Sequence, residues 1–115
     1  KENHIVAAQG IIPAINNSIK ASRCQKKVEV EVEDLNSLKT AIQANPDIIM
    51  LDNMSISEIK QAVAICQNSV LLEGSGGVTL QRVKELAHLG VDFISVGAIT
   101  HSAPAVDFSL LIEID

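Results

Sequence analysis

The chain has 115 residues and a mass of 12.3 kDa, which limits it to one domain, and 47% of its residues are hydrophobic, enough to form a core. Its 6 Gly, 3 Pro and 2 Cys exclude the collagen-like, disordered and disulfide-scaffold classes, and no apolar run approaches the ~20 residues of a membrane span. The net charge of −5 and the absence of Trp and Tyr argue against both a nucleic-acid partner and a stacking surface for bases.

The first predicted element is helical but interrupted. Apolar residues recur at helical spacing from about residue 5 to about residue 24, and Gly10 breaks the pattern. Pro13 suits the first turn of a second helical piece, whose buried stripe would be Ile12, Ile15 and Ile19. We therefore expect a broken helix before the first strand.

Four short segments with strand character follow, and they start about 20 residues apart. They are residues 28–32, 47–51, 69–73 and 92–96. The first (VEVEV) alternates strictly, whereas the others are short apolar runs typical of strands buried on both faces. A last apolar segment, residues 109–114, is compatible with a strand or a short helix, and its periodicity does not decide between them.

Three amphipathic helices are predicted between these strands. Each has a plausible first residue: Asp34 for the first, Ser55 with Glu58 in a capping box for the second, and Thr79 for the third. Gly90 suits the C-terminal cap of the third helix.

Strand–helix units of this length imply parallel strands joined by crossovers, and two architectures fit, an open doubly wound sheet and a (β/α)₈ barrel. The first strand favours the barrel, because Glu29 and Glu31 share a face that would be buried against helices in a doubly wound sheet but can face a barrel lumen. We therefore predict an α/β fold in which parallel βα repeats form part of a (β/α) barrel. Four units make only half a barrel, so we expect residues 1–115 to be a fragment of a longer chain.

Three carboxylates are predicted at the carboxyl ends of strands, where the active sites of α/β proteins lie: Glu31, Asp52 and Glu73. Asp52 is the most informative, because it directly follows a buried strand and the next helix has its own cap. The neighbouring Glu33 and Asp34 are interpreted only as capping or loop-solvating residues.

Two glycine-containing loops follow the last two strands, residues 73–79 (EGSGGVT) and 96–102 (VGAITHS). Glycine lets the backbone approach an anion closely, and the free N–H groups at the start of a helix attract phosphate. Paired loops of this kind after consecutive strands predict a phosphate-binding site. His101 lies in the second loop, and its role, like that of Glu29, stays open.

The two cysteines, Cys24 and Cys66, are isolated and have no His or Cys at metal-binding spacing, so a zinc site is not predicted. Isolated thiols are typical of a reducing compartment, and we therefore expect a cytoplasmic protein.

Five motifs in order along the chain carry a family resemblance. They are residues 1–5 (KENHI), 28–32 (VEVEV), 51–54 (LDNM), 73–77 (EGSGG) and 97–102 (GAITHS). In this order they resemble the C-terminal part of quinolinate phosphoribosyltransferases, also called carboxylating nicotinate-nucleotide pyrophosphorylases. The departures are small: Gly74 stands where the family usually has Ala or Ser, and Ile99 where Leu is common.

The resemblance implies a Mg²⁺-dependent transferase of NAD biosynthesis. It would make nicotinate mononucleotide, pyrophosphate and CO₂ from quinolinate and phosphoribosyl pyrophosphate, as a homodimer or higher homo-oligomer with no nucleic-acid or membrane partner. It further implies that Lys1 contacts anionic substrate and that Glu31 and Asp52 act as catalytic residues beside the ribose hydroxyls and the metal. The implied phosphate cradle consists of Ser75, Gly76, Gly77, Gly97, Ala98 and Ile99.

The cations of the chain do not account for substrate recognition. Quinolinate has two carboxylates, but the chain has only 7 Lys and 2 Arg, and neither Arg23 nor Arg82 lies in a motif. Carboxylates are normally bound by arginine forks, which the resemblance assigns to the N-terminal part and the partner subunit. We therefore expect residues 1–115 alone to be inactive. Two alternatives stay open: a non-catalytic phosphate-binding βα module, and a paralogous pyrophosphorylase acting on another aromatic acid.

Overall fold

A four-stranded parallel sheet organises the fold in a computed structural model that describes residues 1–22 and 26–114. The strands are β1 (Glu29–Val32), β2 (Ile48–Asp52), β3 (Leu71–Ser75) and β4 (Phe93–Ile94). They pair in chain order, β1-β2-β3-β4, and every pairing is parallel. Strands that follow one another in chain order, each separated by a helix, are the arrangement of a partial α/β barrel, which confirms the predicted fold class.

Six helices lie within the described residues. They are α1 (Glu2–Ala7), α2 (Ile11–Ser22), α3 (Leu35–Ile42), α4 (Ile56–Cys66), α5 (Leu80–Leu89) and α6 (Ala98–His101). None of them is long and apolar enough to cross a lipid bilayer.

The predicted break in the N-terminal helix is confirmed. Helices α1 and α2 are separated at Gly10, whose φ of 145° is accessible to glycine but strained for other residues. Pro13 lies in the first turn of α2, and Ile15 on the same helix is buried in the core. The predicted end of this helix near Cys24 lies outside the described residues.

The predicted helix caps are also confirmed. Asp34 accepts hydrogen bonds from the backbone N–H groups of Asn36 and Ser37, and Ser55 forms a reciprocal capping box with Glu58. The hydroxyl of Thr79 accepts from the first turn of α5, and Gly90 ends that helix with a φ of 90°. Local side-chain chemistry therefore fixes where each crossover helix begins.

The hydrophobic core lies between the sheet and helices α2 to α5. On the sheet it consists of Val30, Val32, Ile49, Leu51 and Leu72, all buried. On the helices it includes Leu38, Ile59, Leu86 and Cys66. Burial raises the pKa of the Cys66 thiol and keeps it protonated, as expected of a packing residue.

The sequence-based boundaries of the last two strands are wrong. The third strand covers Leu71–Ser75, two residues later than predicted, because pairing with β2 continues through Glu73, Gly74 and Ser75. Glu73 therefore lies in the middle of β3 and not at its carboxyl end. The fourth strand shrinks from the predicted residues 92–96 to Phe93–Ile94, since β4 pairs only with β3 among the described strands.

The apolar segment 109–114 forms neither the predicted strand nor the predicted helix. Residues 102–114 are exposed and without regular secondary structure. A strand needs a partner for its backbone groups, and six residues are too few to sustain an isolated helix.

Candidate functional site

Three carboxylates meet at the carboxyl edge of β1 and β2. Glu31 pairs across the ladder with Met50, and Asp52 follows two residues later, so both side chains project from the face of the sheet opposite the helices. One carboxylate oxygen from each of Glu31, Glu33 and Asp52 lies within 4.8 Å of the others. Glu31 and Asp52, both predicted at the carboxyl ends of strands, thus converge on one edge of the sheet, and Glu33 joins them.

Lys1 provides a positive charge next to this group. Its Nζ lies 3.6 Å from Oε2 of Glu31, with 79% of the Lys1 side chain and 19% of the Glu31 side chain exposed. An ion pair with one exposed partner contributes little to stability. The ammonium is therefore free to exchange Glu31 for an anionic ligand at low cost.

A second carboxylate pair, Glu29 and Glu73, lies on the same face of the sheet. Burial raises the pKa of Glu29, and the nearby carboxyl groups of Glu73 and Glu31 raise it further, whereas the charge of Lys1 opposes the shift. Glu73 in turn accepts a hydrogen bond from the hydroxyl of Ser95. The face of the sheet opposite the helices is therefore strongly acidic from its middle to its carboxyl edge.

The first glycine loop begins where β3 ends, at Ser75, which pairs with Asp52 in the ladder. Gly76 and Gly77 follow with φ values of 85° and 54°, in the region that glycine adopts readily. A Cβ atom on Gly76 would lie 2.3 Å from Oδ1 of Asn53, whereas one on Gly77 would meet nothing within 4 Å. Steric contact therefore requires glycine at 76, whereas at 77 there is open space beside the backbone.

The second glycine loop lies beside the first, because β4 pairs with β3 and the N–H of Ser95 donates to the carbonyl of Gly74 over 3.0 Å. Gly97 precedes the short helix α6, and a Cβ there would lie 2.7 Å from Nε2 of His101. Ala98 and Ile99 form the exposed start of α6. The predicted loop at residues 96–102 thus contains one helical turn, α6.

Two residues contribute more to the site than their sequence context predicts. Glu33 was interpreted only as a loop-solvating residue, but its carboxylate belongs to the group at the strand edge. Its spacing of two from Glu31 would have signalled this, since alternate strand residues share a face. Asn53 was passed over, although it lies against both Asp52 and Gly76.

The arrangement combines two complementary binding features. Carboxylates at the ends of β1 and β2 can accept hydrogen bonds from hydroxyl groups or bind a hard cation such as Mg²⁺. The first glycine loop leads into the start of α5, where the free backbone N–H groups of the first turn favour an anion. A ligand that carries both hydroxyl groups and a phosphate fits this edge of the sheet.

Comparison with known proteins points to one family. A family profile described as "Quinolinate phosphoribosyl transferase, C-terminal domain" matches residues 1–111. The human nicotinate-nucleotide pyrophosphorylase [carboxylating] is 37% identical over 113 residues, which cover 96% of this chain and 38% of the human protein. A probable nicotinate-nucleotide pyrophosphorylase [carboxylating] from Methanocaldococcus jannaschii is 40% identical over 117 residues, covering 96% of this chain and 41% of that protein.

Solved structures agree in fold. The nicotinate-nucleotide pyrophosphorylase from Francisella tularensis superimposes with a TM-score of 0.83 at 47% identity, covering 92% of this chain and 38% of that one. NadC from Streptococcus pyogenes gives a TM-score of 0.82 at 39% identity, covering 93% and 38%. The chain thus spans about two-fifths of the length of its relatives. With the profile matched over nearly all its residues, this chain belongs to the quinolinate phosphoribosyl transferase family and corresponds to the C-terminal domain.

Proposed function

We propose that the intact protein transfers a phosphoribosyl group from phosphoribosyl pyrophosphate to quinolinate, giving nicotinate mononucleotide, pyrophosphate and CO₂ in NAD biosynthesis. The observation that carries the proposal is the meeting of Glu31 and Asp52 beside the glycine loop that begins at Ser75. Membership of the family supports the substrate pair, and the geometry supports binding of its hydroxyl groups and its 5′-phosphate at this edge of the sheet.

Glu31 and Asp52 are the catalytic residues of this proposal. The bond between ribose C1 and pyrophosphate breaks with its electrons leaving on oxygen, the ring nitrogen of quinolinate forms the new C–N bond, and a proton replaces the carboxyl group lost as CO₂. The ribose becomes cationic on the way. Carboxylates hydrogen-bonded to its hydroxyl groups stabilise this charge more in the transition state than in the ground state.

The three carboxylate oxygens fit Mg²⁺, a hard cation that prefers oxygen ligands and retains several waters. In this proposal Glu31 and Asp52 hold the ion, and Glu33 lies close enough to share it. When bound, the ion neutralises charge on the departing pyrophosphate.

The remaining residues bind substrate anions. Lys1 contacts a negatively charged substrate group next to Glu31. The 5′-phosphate lies in the cradle made by Ser75, Gly76, Gly77, Gly97, Ala98 and Ile99. The arginines that quinolinate needs come from the rest of the protein and from a second copy, so the proposal includes a homodimer or higher homo-oligomer.

The test is an assay of the intact protein for nicotinate mononucleotide with quinolinate, nicotinate or another pyridine carboxylate as acceptor, with and without EDTA. We expect product only with quinolinate, and we expect EDTA to abolish its formation. Glu31→Gln should lose nearly all activity, whereas the control Glu85→Gln, on the exposed face of α5, should keep it. Product from another acid would establish a paralogue. Phosphate binding without turnover would establish a non-catalytic module and contradict the proposal.

A further inference from the structure

Asn53 lies between the two halves of the site and contacts both. It follows Asp52 at the end of β2 and has a φ of 54°, a left-handed conformation that Asn tolerates better than most residues. Its backbone N–H donates to the carbonyl of Ser75 over 3.3 Å. The hydrogen bonding that pairs Asp52 with Ser75 therefore extends to the backbone of Asn53.

The side chain of Asn53 makes the second connection. Its Nδ2 donates to Oδ2 of Asp52 over 2.9 Å, which leaves the other carboxylate oxygen of Asp52 available to a ligand. Its Oδ1 occupies the space that a Cβ on Gly76 would need, only 2.3 Å away. One planar amide thus sets the orientation of the carboxylate and also the path of the glycine loop.

A third contact also links the residues after β2 to the start of α5. The guanidinium of Arg82, in the first turn of α5, donates from Nη2 to the carbonyl of Met54 over 2.6 Å. Met54 is 1% exposed. The residues after β2 are thereby bound to the β3–α5 segment on both sides of the glycine loop, which makes the connection stiff.

From these contacts we infer that Asn53 is a positioning residue that fixes the distance between the carboxylate of Asp52 and the phosphate cradle at Gly76. The inference rests on the proposed function, in which Asp52 receives ribose hydroxyl groups and the cradle receives the 5′-phosphate of the same molecule. A ligand that occupies both places depends on their separation, whereas a ligand that occupies only one does not.

The choice of variants follows from the conformation. Asn53→Gly keeps the left-handed backbone but removes the amide, and Asn53→Asp keeps the shape but places a second negative charge next to Asp52. Asn68→Gly is the matched control, because Asn68 is exposed, has a φ of 62° and lies beyond the end of α4. The control reports the effect of replacing a left-handed Asn by Gly away from the site.

The experiment is calorimetric titration of the intact protein with ribose 5-phosphate and with inorganic phosphate, both without metal. For Asn53→Gly we expect the Kd of ribose 5-phosphate to rise about tenfold, which is the loss of one well-placed hydrogen bond, and that of inorganic phosphate to change less than about threefold. Asn68→Gly should change neither. Asp52→Asn combined with Asn53→Gly should bind ribose 5-phosphate no more weakly than Asp52→Asn alone, because Asn53 acts through Asp52.

Kinetics provide a second measurement. In Asn53→Gly we expect the fold decrease in kcat to exceed the fold increase in KM for phosphoribosyl pyrophosphate. In Asn53→Asp we expect a still lower kcat and a still higher KM. Equal losses for the two probes, or additive losses in the double variant, would overturn the role of Asn53 alone. If the wild-type protein binds neither probe, the phosphoribosyl assignment fails, and the inference about Asn53 fails with it.

Discussion

The two faces of the sheet differ in chemistry, although their residues alternate along the same strands. On the face toward the helices, Val30, Ile49, Leu51 and Leu72 are at most 3% exposed. On the opposite face, Glu31, Glu73 and Asp52 remain partly exposed. The first set packs against helices, and the second accumulates negative charge that no described helix covers.

This difference indicates that stability and function are carried by separate residues only one position apart. Buried apolar side chains stabilise a fold in proportion to the area that they remove from water. Neighbouring like charges oppose folding, and on this face partial burial together with the carboxyl groups of Glu73 and Glu31 raises the pKa of Glu29. Side chains on the acidic face can therefore be altered with little cost to the fold, and side chains on the apolar face with little direct effect on chemistry.

Asp52→Asn tests the acidic face, where a substitution should impair activity and leave stability nearly unchanged. We expect kcat/KM of the intact protein to fall about 10²–10³-fold, because the amide cannot stabilise the cationic ribose. The free energy of unfolding should change by less than about 0.5 kcal/mol, as for other partly exposed positions. Steady-state kinetics and urea unfolding measure the two effects. Unchanged kinetics would remove Asp52 from the chemistry.

Ile49→Ala tests the apolar face, where a substitution should lower stability and leave kcat nearly unchanged. Ile49 is fully buried, so we expect a loss of about 2–5 kcal/mol in the free energy of unfolding, and about 0.5–1.5 kcal/mol for the milder Ile49→Val. At a temperature where both variants stay folded, kcat should remain near the wild-type value. A selective loss of kcat in the folded Ile49→Val protein would argue against the separation of the two faces.

Gly76→Ala and Gly74→Ala form a matched pair on β3 and the loop that follows. At Gly76 the left-handed φ and the contact with Asn53 should cost about 1–3 kcal/mol and weaken phosphate binding about tenfold. At Gly74 a Cβ would lie 3.3 Å from a methyl of the buried Leu86, which needs to move by only a few tenths of an ångström, so the change should stay within about 1 kcal/mol. Calorimetric titration with phosphate and thermal unfolding distinguish them. Similar behaviour of both variants would contradict the steric argument.

The smallest expected effect concerns pH. Hydrogen bonds at the helix caps hold the pKa of Asp34 below 3.8 and that of Glu58 below 4.5. Both groups therefore stabilise the folded state above these values, and their contribution is lost as the pH falls through the lowered pKa values. The variant Asp34→Asn with Glu58→Gln keeps both caps without titrating, so its urea midpoint should fall less steeply than that of the wild type below about pH 4.5. Parallel curves would show that these caps do not contribute to acid sensitivity.

Much of the fold could be predicted because its signals are local. Alternation at residues 28–32, the capping box at Ser55 and Glu58, and the glycine at position 90 each specify geometry within a few residues. Strand lengths were less predictable. Whether pairing continues through Glu73 and Gly74 depends on which residues lie on the neighbouring strands, and a single segment does not carry that information.

The candidate site was likewise predictable only in part. By itself the sequence determined the residue types, their order and the strand ends, and parallel pairing then required Glu31 and Asp52 to emerge at one edge. Only the tertiary structure decided that oxygens of Glu31, Glu33 and Asp52 come within 4.8 Å of one another and that the Asn53 amide fills the space beside Gly76. These contacts join segments about 20 residues apart in sequence, one βα unit. Their distances depend on the register and twist of the assembled sheet, which no local pattern specifies.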